Sequence, residues 1–454
     1  MFNRLRLNKL YGYLGNNQFL SLSGNVVTAG IAVLSSSLIF RSLSIQEVGM
    51  WVLFTSMLGL VDSIRSGFVA TAFIRSYSGA TVTRAAEVMG STWMISLLIT
   101  GAFIVLNTVA MVVPLPVSNE SLHIFSRWFS LTFLATLPGF LAGCVLQAEL
   151  KFDKLLYLRL ISHGLFVSGI TVLILTKQMS LMRLLYWNLC REAITSVTAL
   201  AMGWTNLRMF RHSTKSCAVE LGQFGKYSIG SYIGSMLLRD ADTFIINFMI
   251  GPIALATYNV AQRLMVLIEI PLNSSVATAV PLMSAAFNQH DKLRLGWLLQ
   301  KNAGVVTWVL VPIIVGMFIF ADLLIYLLGG SKYTGTEAAN VLRIFLAIAI
   351  LFPIDRYFGV ALDVINQPKM NLIKVFITLA VGVVCDVLGI QLLHSIYGVA
   401  LASAPTIVVG FLFGYFAFCR YYKVSLVTII TTGFDESKKL VLSYLVKLRP
   451  SKSY

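Results

Sequence analysis

Residues 88–113 read VMGSTWMISLLITGAFIVLNTVAMVV, twenty-six positions without an Asp, Glu, Lys or Arg. At about 1.5 Å of rise per helical residue, such a helix exceeds the hydrocarbon core of a bilayer, roughly 30 Å thick. It has no charged face to turn toward water, and it is read as a membrane span. Comparable apolar stretches recur near 19–40, 47–74, 124–148, 155–176, 182–205, 224–249, 253–285, 300–328, 338–362, 370–391 and 396–420, which makes twelve in all. The second and eighth are longer than a bilayer requires, so they are expected to tilt or bend.

The rest of the composition agrees. Of 454 residues, 57% are hydrophobic and 12% are Asp, Glu, Lys or Arg, against roughly 25% charged in soluble domains. A water-soluble protein of this length could not cover its surface. The sequence therefore predicts an all-α, polytopic membrane protein of about twelve transmembrane helices, arranged as two six-helix bundles around a central cavity. No cleavable signal is expected, because the apolar run after Arg4, Arg6 and Lys9 is too long for one and leads straight into a second span. The five cysteines, Cys144, Cys190, Cys217, Cys385 and Cys419, form no CxxC pair and no disulfide framework.

An even number of spans puts both termini on one side, and the basic residues say which. That side collects Arg75, Arg84, Lys151, Lys154, Arg159, Arg208, Arg211, Lys215, Lys369 and Lys374, among others, whereas the opposite side has few. By the positive-inside rule both termini are expected in the cytoplasm. The net charge of +16 is then a collar facing anionic membrane lipids and calls for no nucleic acid. The division expected is a basic N-terminus over 1–18, a six-helix bundle over 19–205, a cytoplasmic linker over 206–223, a second bundle over 224–420, and a basic tail over 421–454. In the tail, Lys438, Lys439 and Lys447 alternate with leucines and valines, as in an amphipathic helix lying on the membrane.

Sliding the chain by 207 positions lays Leu43 on Ile250, Val48 on Leu255, Trp51 on Tyr258 and Asp62 on Glu269. An acidic residue inside matching spans suggests two parallel repeats. Ionisable groups inside spans are costly and tend to face protein or a watery lumen. Asp62 and Arg65 share a helix face at i,i+3, as do Arg239 and Asp242, while Asp240 points elsewhere; Arg263 and Glu269 lie in the eighth span. These six are the candidate substrate-binding residues, because arginines can grip phosphate oxygens bidentately and remain charged when partly dehydrated. Structural ion pairing is the competing reading. Prolines fall inside several spans, with Pro271 the candidate hinge.

The five histidines lack metal-ligand spacing, and no Walker loop, GxGxxG or GxSxG elbow occurs. Neither a metal, a cofactor nor an enzymatic activity is expected.

Three segments then carry a resemblance that runs along nearly the whole chain: FRSLSIQEVGMW (40–51), GLVDSIRSGFVATAFIR (59–75) and RDADTFIINFMIGPIALATYNVAQRL (239–264). Their order and spacing resemble the polysaccharide flippase branch of the multidrug/oligosaccharidyl-lipid/polysaccharide exporter superfamily, with Asp242, Gly251, Tyr258, Ala261 and Arg263 at positions like the family pattern. Ser44, where the family often has glycine, and Pro252 depart from it. The resemblance implies a transporter that flips a lipid-linked oligosaccharide, typically an undecaprenyl diphosphate repeat unit, across the inner membrane by alternating access. It would serve O-antigen (lipopolysaccharide), capsule or exopolysaccharide biosynthesis, with a polysaccharide polymerase and glycosyltransferases as implied partners. Coupling to a sodium or proton gradient is left open. The rivals are a multidrug antiporter of the same superfamily and a non-transporting membrane scaffold.

Overall fold

The computed structural model describes residues 17–112 and 120–448. Arg4, Arg6 and Lys9 of the basic N-terminus, and Arg449 and Lys452 of the tail, lie outside the described residues. Among those described there are sixteen α-helices, two short 3-10 helices and no strand. Eight helices are each long and apolar enough to cross a membrane, and one pair bent by 52° makes a ninth. The chain has the all-α membrane fold that its hydropathy implies.

Among the described residues, those up to Asn247, with Gly251–Ala256, form one compact unit, and Phe248–Ile250 with those from Thr257 onward form a second. The first holds α1 (Asn17–Ser42), α2 (Ile45–Tyr77), α3 (Val82–Val112), α4 (Glu120–Ala148), α5 (Phe152–Leu175), α6 (Leu181–Ala201), a 3-10 helix (Leu207–His212) and α7 (Lys215–Met249). The sequence reading drew its boundary at 206–223; the units part near 247–257 instead. Close packing on α2 explains why α7 sides with the first unit: a Cβ at Gly59 or Gly67 of α2 would overlap the side chains of Met236 and Tyr232, and one at Gly225 of α7 would strike the Phe68 carbonyl. Hydropathy cannot show such contacts.

α4 is the central post of this unit and packs against α2, α3 and α6. Half of its apolar window is buried, against 17% for α3, which is covered far less by protein. α2 starts at a capping box: Ser44 Oγ accepts from Glu47 N at 3.2 Å, and Ser44 N donates to Glu47 Oε2 at 3.0 Å. The serine that departs from the family pattern thus supplies a helix N-cap. Glu47 Oε1 also accepts from Leu181 N at 3.0 Å, tying the start of α6 to the start of α2.

The second unit contains most of α8 (Pro252–Leu264), then α9 (Val266–Asn288), α10 (Lys292–Ile319), α11 (Ala321–Gly329), α12 (Ala338–Ala349), α13 (Phe352–Val364), α14 (Pro368–Leu393), α15 (Ile396–Cys419) and α16 (Leu426–Leu448). The overlong eighth stretch breaks at Met265 into α8 and α9, and the segment over 300–328 breaks at Phe320 into α10 and α11. Pro271 lies within α9, so the discontinuity precedes the proline by six residues. α12 and α13 are the bent pair. The tail helix α16 packs along α10, where Gly304 and Gly433 allow backbone to meet backbone.

Candidate functional site

Asp62, Arg65 and Ser66 lie within little more than one turn of α2, and Arg65 reaches α4 where that helix is opened. Pro138, inside α4, has no N–H to donate. One residue on, Ser196 of α6 enters the ladder: its Oγ donates to the Ala135 carbonyl at 2.5 Å and accepts from Gly139 N at 3.1 Å. A side chain inserted in this way is a recognised cause of a helix kink. Against the loosened turn lies the Arg65 guanidinium.

Arg65 is fully buried. Its Nη2 donates to Asp62 Oδ1 at 2.5 Å and to Thr136 Oγ1 at 2.9 Å, and its Nη1 to the Phe133 carbonyl at 3.4 Å. The guanidinium also sits over the rings of Phe133 and Phe140, 4.4 and 4.8 Å from their centroids. Only Nε lacks a hydrogen-bond partner. Dehydrating a charged group costs several kcal/mol, about what a close ion pair with further hydrogen bonds restores, and each desolvated cation–π contact adds up to about 2 kcal/mol. Arg65 is therefore a fixed, neutralised part of the wall. Its partner behaves differently: Asp62 holds Ser66 Oγ at 3.2 Å, and its side chain is 40% exposed.

Asp62 opens onto two adjoining cavities within the first unit. The larger, of about 620 Å³, is walled by α2, α4, α5, α6 and α7, with Arg159, Ser162, His163, Gln147 and Glu192 among its polar lining. This volume is within the usual range for ligand pockets. The second, of about 530 Å³, lies between α2 and α7 and includes Asp62, Ser66, Tyr232, Ser235 and Arg239. Gly59, Asp62, Ser66 and Tyr232 border both. Across the two cavities, Arg65, Arg159 and Arg239 stand against Asp62 and Glu192, an excess of one positive charge.

The structure thus brings together three of the six residues singled out in the sequence: Asp62, Arg65 and Arg239. Arg239 is not a copy of Arg65. Its side chain is 69% exposed, its Nε donates to Asp240 Oδ1 at 3.3 Å, and its Nη2 lies 2.8 Å from Met236 Sδ; Asp240, which the spacing had pointed elsewhere, is its neighbour. Asp242 is half-buried one turn further along α7. Arg263 and Glu269 belong to the second unit, in the last turn of α8 and the first turn of α9, and both are exposed.

Sequence reasoning missed the α5 contribution. Arg159 was read as part of the cytoplasmic collar, yet Arg159, Ser162 and His163 are spaced as one helical face, and that periodicity was the available signal. Glu192, also in the lining, pairs with Arg191, whose Nη2 also reaches Asn188 Oδ1 at 2.9 Å. In the second unit, Lys374 was likewise counted with the collar. It is buried on α14, with Nζ 2.5 Å from Asp355 Oδ1 and 3.0 Å from the Asp355 carbonyl of α13. Among the described residues, no cluster of His, Cys, Asp or Glu is placed to hold a metal ion.

A bundle of lipid-length helices hollowed by a polar, charged recess has the architecture of a membrane transporter. Solved structures share it. The lipid II flippase MurJ in an inward closed conformation matches with a TM-score of 0.74 at 15% identity, over 94% of this chain and 93% of that one. A multidrug resistance MATE transporter of the MOP superfamily in its inward-facing conformation matches with a TM-score of 0.67 at 14% identity, over 89% and 95%. The family model described as "Polysaccharide biosynthesis protein" matches residues 38–338, and the chain belongs to that family. A similar curated protein is the probable low-salt glycan biosynthesis flippase Agl15 of Haloferax volcanii, 24% identical over 391 residues, covering 85% of this chain and 79% of that protein.

Proposed function

We propose that the protein moves a lipid-linked oligosaccharide, an undecaprenyl diphosphate repeat unit, between the leaflets of a bacterial inner membrane with both termini cytoplasmic. It would feed O-antigen, capsule or exopolysaccharide assembly alongside a polymerase and glycosyltransferases. The observation that carries this reading is the recess of about 620 Å³ whose wall includes α2, α4 and α5, each long and apolar enough to sit in lipid. A sugar diphosphate cannot cross hydrocarbon unaided, because its hydroxyls and charges lose their water. Here serine, threonine and glutamine side chains would replace that water, Arg159 and Arg239 would meet the diphosphate, and the prenyl tail would stay in lipid. The Haloferax relative, a probable glycan biosynthesis flippase, and MurJ, a lipid II flippase, support the same reading. No bond is made or broken; transfer follows from lowering the cost of passage.

One observation favours the antiporter reading: the half-open Asp62 carboxylate would suit a cationic amphiphile, and MATE transporters share the fold. The test is transport by purified protein in proteoliposomes, offered a panel of lipid-linked glycans and a cationic amphiphile in parallel. Movement of a lipid-linked glycan is expected. Movement of the amphiphile alone would replace this reading with the antiporter.

A further inference from the structure

The segment joining α6 to α7 was expected to be a linker; it is instead a pinned platform. Thr205 O accepts from Trp93 Nε1 at 3.0 Å, while Ser91 Oγ accepts from Thr214 N and donates to Thr214 O, both at 3.2 Å. Both ends are therefore stapled to α3. Between them, Asn206 takes a left-handed conformation with φ of 45° and donates through Nδ2 to Tyr77 Oη at 3.4 Å. The Leu207–His212 helix that follows packs against α3.

With three residues per turn, a 3-10 helix stacks positions i and i+3 in register, so LRMFRH forms three pure rows. Met209 and His212 make the third row: Met209 packs on the core around Trp93 of α3 and a Cβ on Gly90 would collide with its carbonyl oxygen, while the His212 side chain is exposed. Leu207 and Phe210 make an apolar row, 48% and 39% exposed. Arg208 and Arg211 make a basic row, both exposed, and no acidic side chain among the described residues pairs with either. Met202, 53% exposed, joins Leu207, Arg208, Phe210 and Arg211 around one concavity of about 1100 Å³.

These rows are arranged for a surface that is apolar inside and negatively charged outside. Folding does not require Leu207 and Phe210 to face outward, since Met209 and the two staples already fix the segment. An apolar row beside a cationic row, held rigid, complements an acyl layer capped by phosphate groups. Exposed apolar positions also lead into it along α6, at Ile194 and Val197.

We infer that residues 202–211 form a binding site for anionic phospholipid, with Met202, Leu207 and Phe210 inserted among the acyl chains and Arg208 and Arg211 on the lipid phosphates. The site is independent of the transported substrate. It keeps the joint between α6 and α7 seated in the membrane surface and makes the protein select acidic lipids there.

The test uses the full chain in nanodiscs. A Met202→Cys variant with the five native cysteines replaced carries a bimane label, and the discs are phosphatidylcholine doped with an equal fraction of brominated phosphatidylcholine or brominated phosphatidylglycerol. Both lipids are expected to quench the label more than they quench one at Ser331→Cys, and the phosphatidylglycerol should quench more strongly. Adding Arg208→Gln and Arg211→Gln should abolish the difference between the lipids, lowering the preference on the order of tenfold. Phe210→Asp should remove the quenching, and Phe210→Leu should retain it. Thermal stability is followed throughout, and only variants that stay folded are read. A label no more quenched than that at Ser331, or quenched equally by the two lipids before the arginines are changed, overturns the inference. Because both disc leaflets have the same lipids, the result does not depend on orientation, and its failure leaves the transport reading untouched.

Discussion

At the residue scale, the two members of the Asp62–Arg65 pair do different work. The fully buried Arg65 is held by four groups besides the carboxylate, so Arg65→Gln leaves those groups unpaired in the wall and should lower stability by about 1–3 kcal/mol. Because the Asp62 carboxylate is 40% exposed, adding Asp62→Asn should restore only a small part of that loss, as thermal unfolding in detergent would report. Arg159 offers a different experiment, because it is exposed to the cavity. Arg159→Gln is expected to leave unfolding unchanged while slowing glycolipid transfer about tenfold, the effect of losing one charged hydrogen bond of roughly 1.5 kcal/mol. Equal transfer rates in the parent and Arg159→Gln would remove it from the site. The acidic and basic pair on α2 was legible because a charge inside a span is conspicuous. Arg159 and Lys374 were not, since near a span end a cavity residue and a collar residue look alike until the neighbouring helices are in place.

At the scale of elements, long apolar runs gave the helices, and their interruptions were the harder part. Met265 and Phe320 end helices without a proline or glycine at the break, so composition offered no mark there. The tail helix α16 packs along α10. Its docking on α10 depends on Gly433 meeting Gly304, on the Trp308 Nε1 bond to Ile430 O at 3.0 Å, and on Glu436, which lies 3.2 Å from Lys301 and 2.7 Å from Lys439. Gly433→Leu forces backbones apart and should cost about 1–3 kcal/mol, read as protease sensitivity confined to α16. Hydrogen bonds from Lys439 and then Lys301 hold the Glu436 carboxyl below its ordinary value of 4.5. Its folded pKa is depressed, so its contribution is present above that value and is lost as pH falls through the lower, folded one. Trypsin cleavage of samples preincubated across that window should rise toward acid in the parent and stay flat in Glu436→Gln.

Over the whole molecule, the proposed orientation makes a simple claim about sides. Cysteines placed at Lys215 and Ser331, in a background without the native thiols, should react with an impermeant reagent from the cytoplasmic and the opposite face respectively. Reaction of both from one face would sink the twelve-span arrangement. The allegiance of α7 has a consequence in time as well as in space. A ribosome delivers helices in order, and after α6 has entered the membrane the seats at Gly59 and Gly67 still await Met236 and Tyr232, while Gly49 awaits the backbone of Pro252. The first unit closes only with Gly251–Ala256. Until then six helices wait in the bilayer with an open seam, dependent on whatever machinery shelters unfinished membrane proteins. Chains halted at residue 206 should accordingly be cleared by membrane proteases in pulse-chase labelling, and chains halted at 256 should persist. The elongation interval between those two positions is the period in which this protein is most exposed to loss.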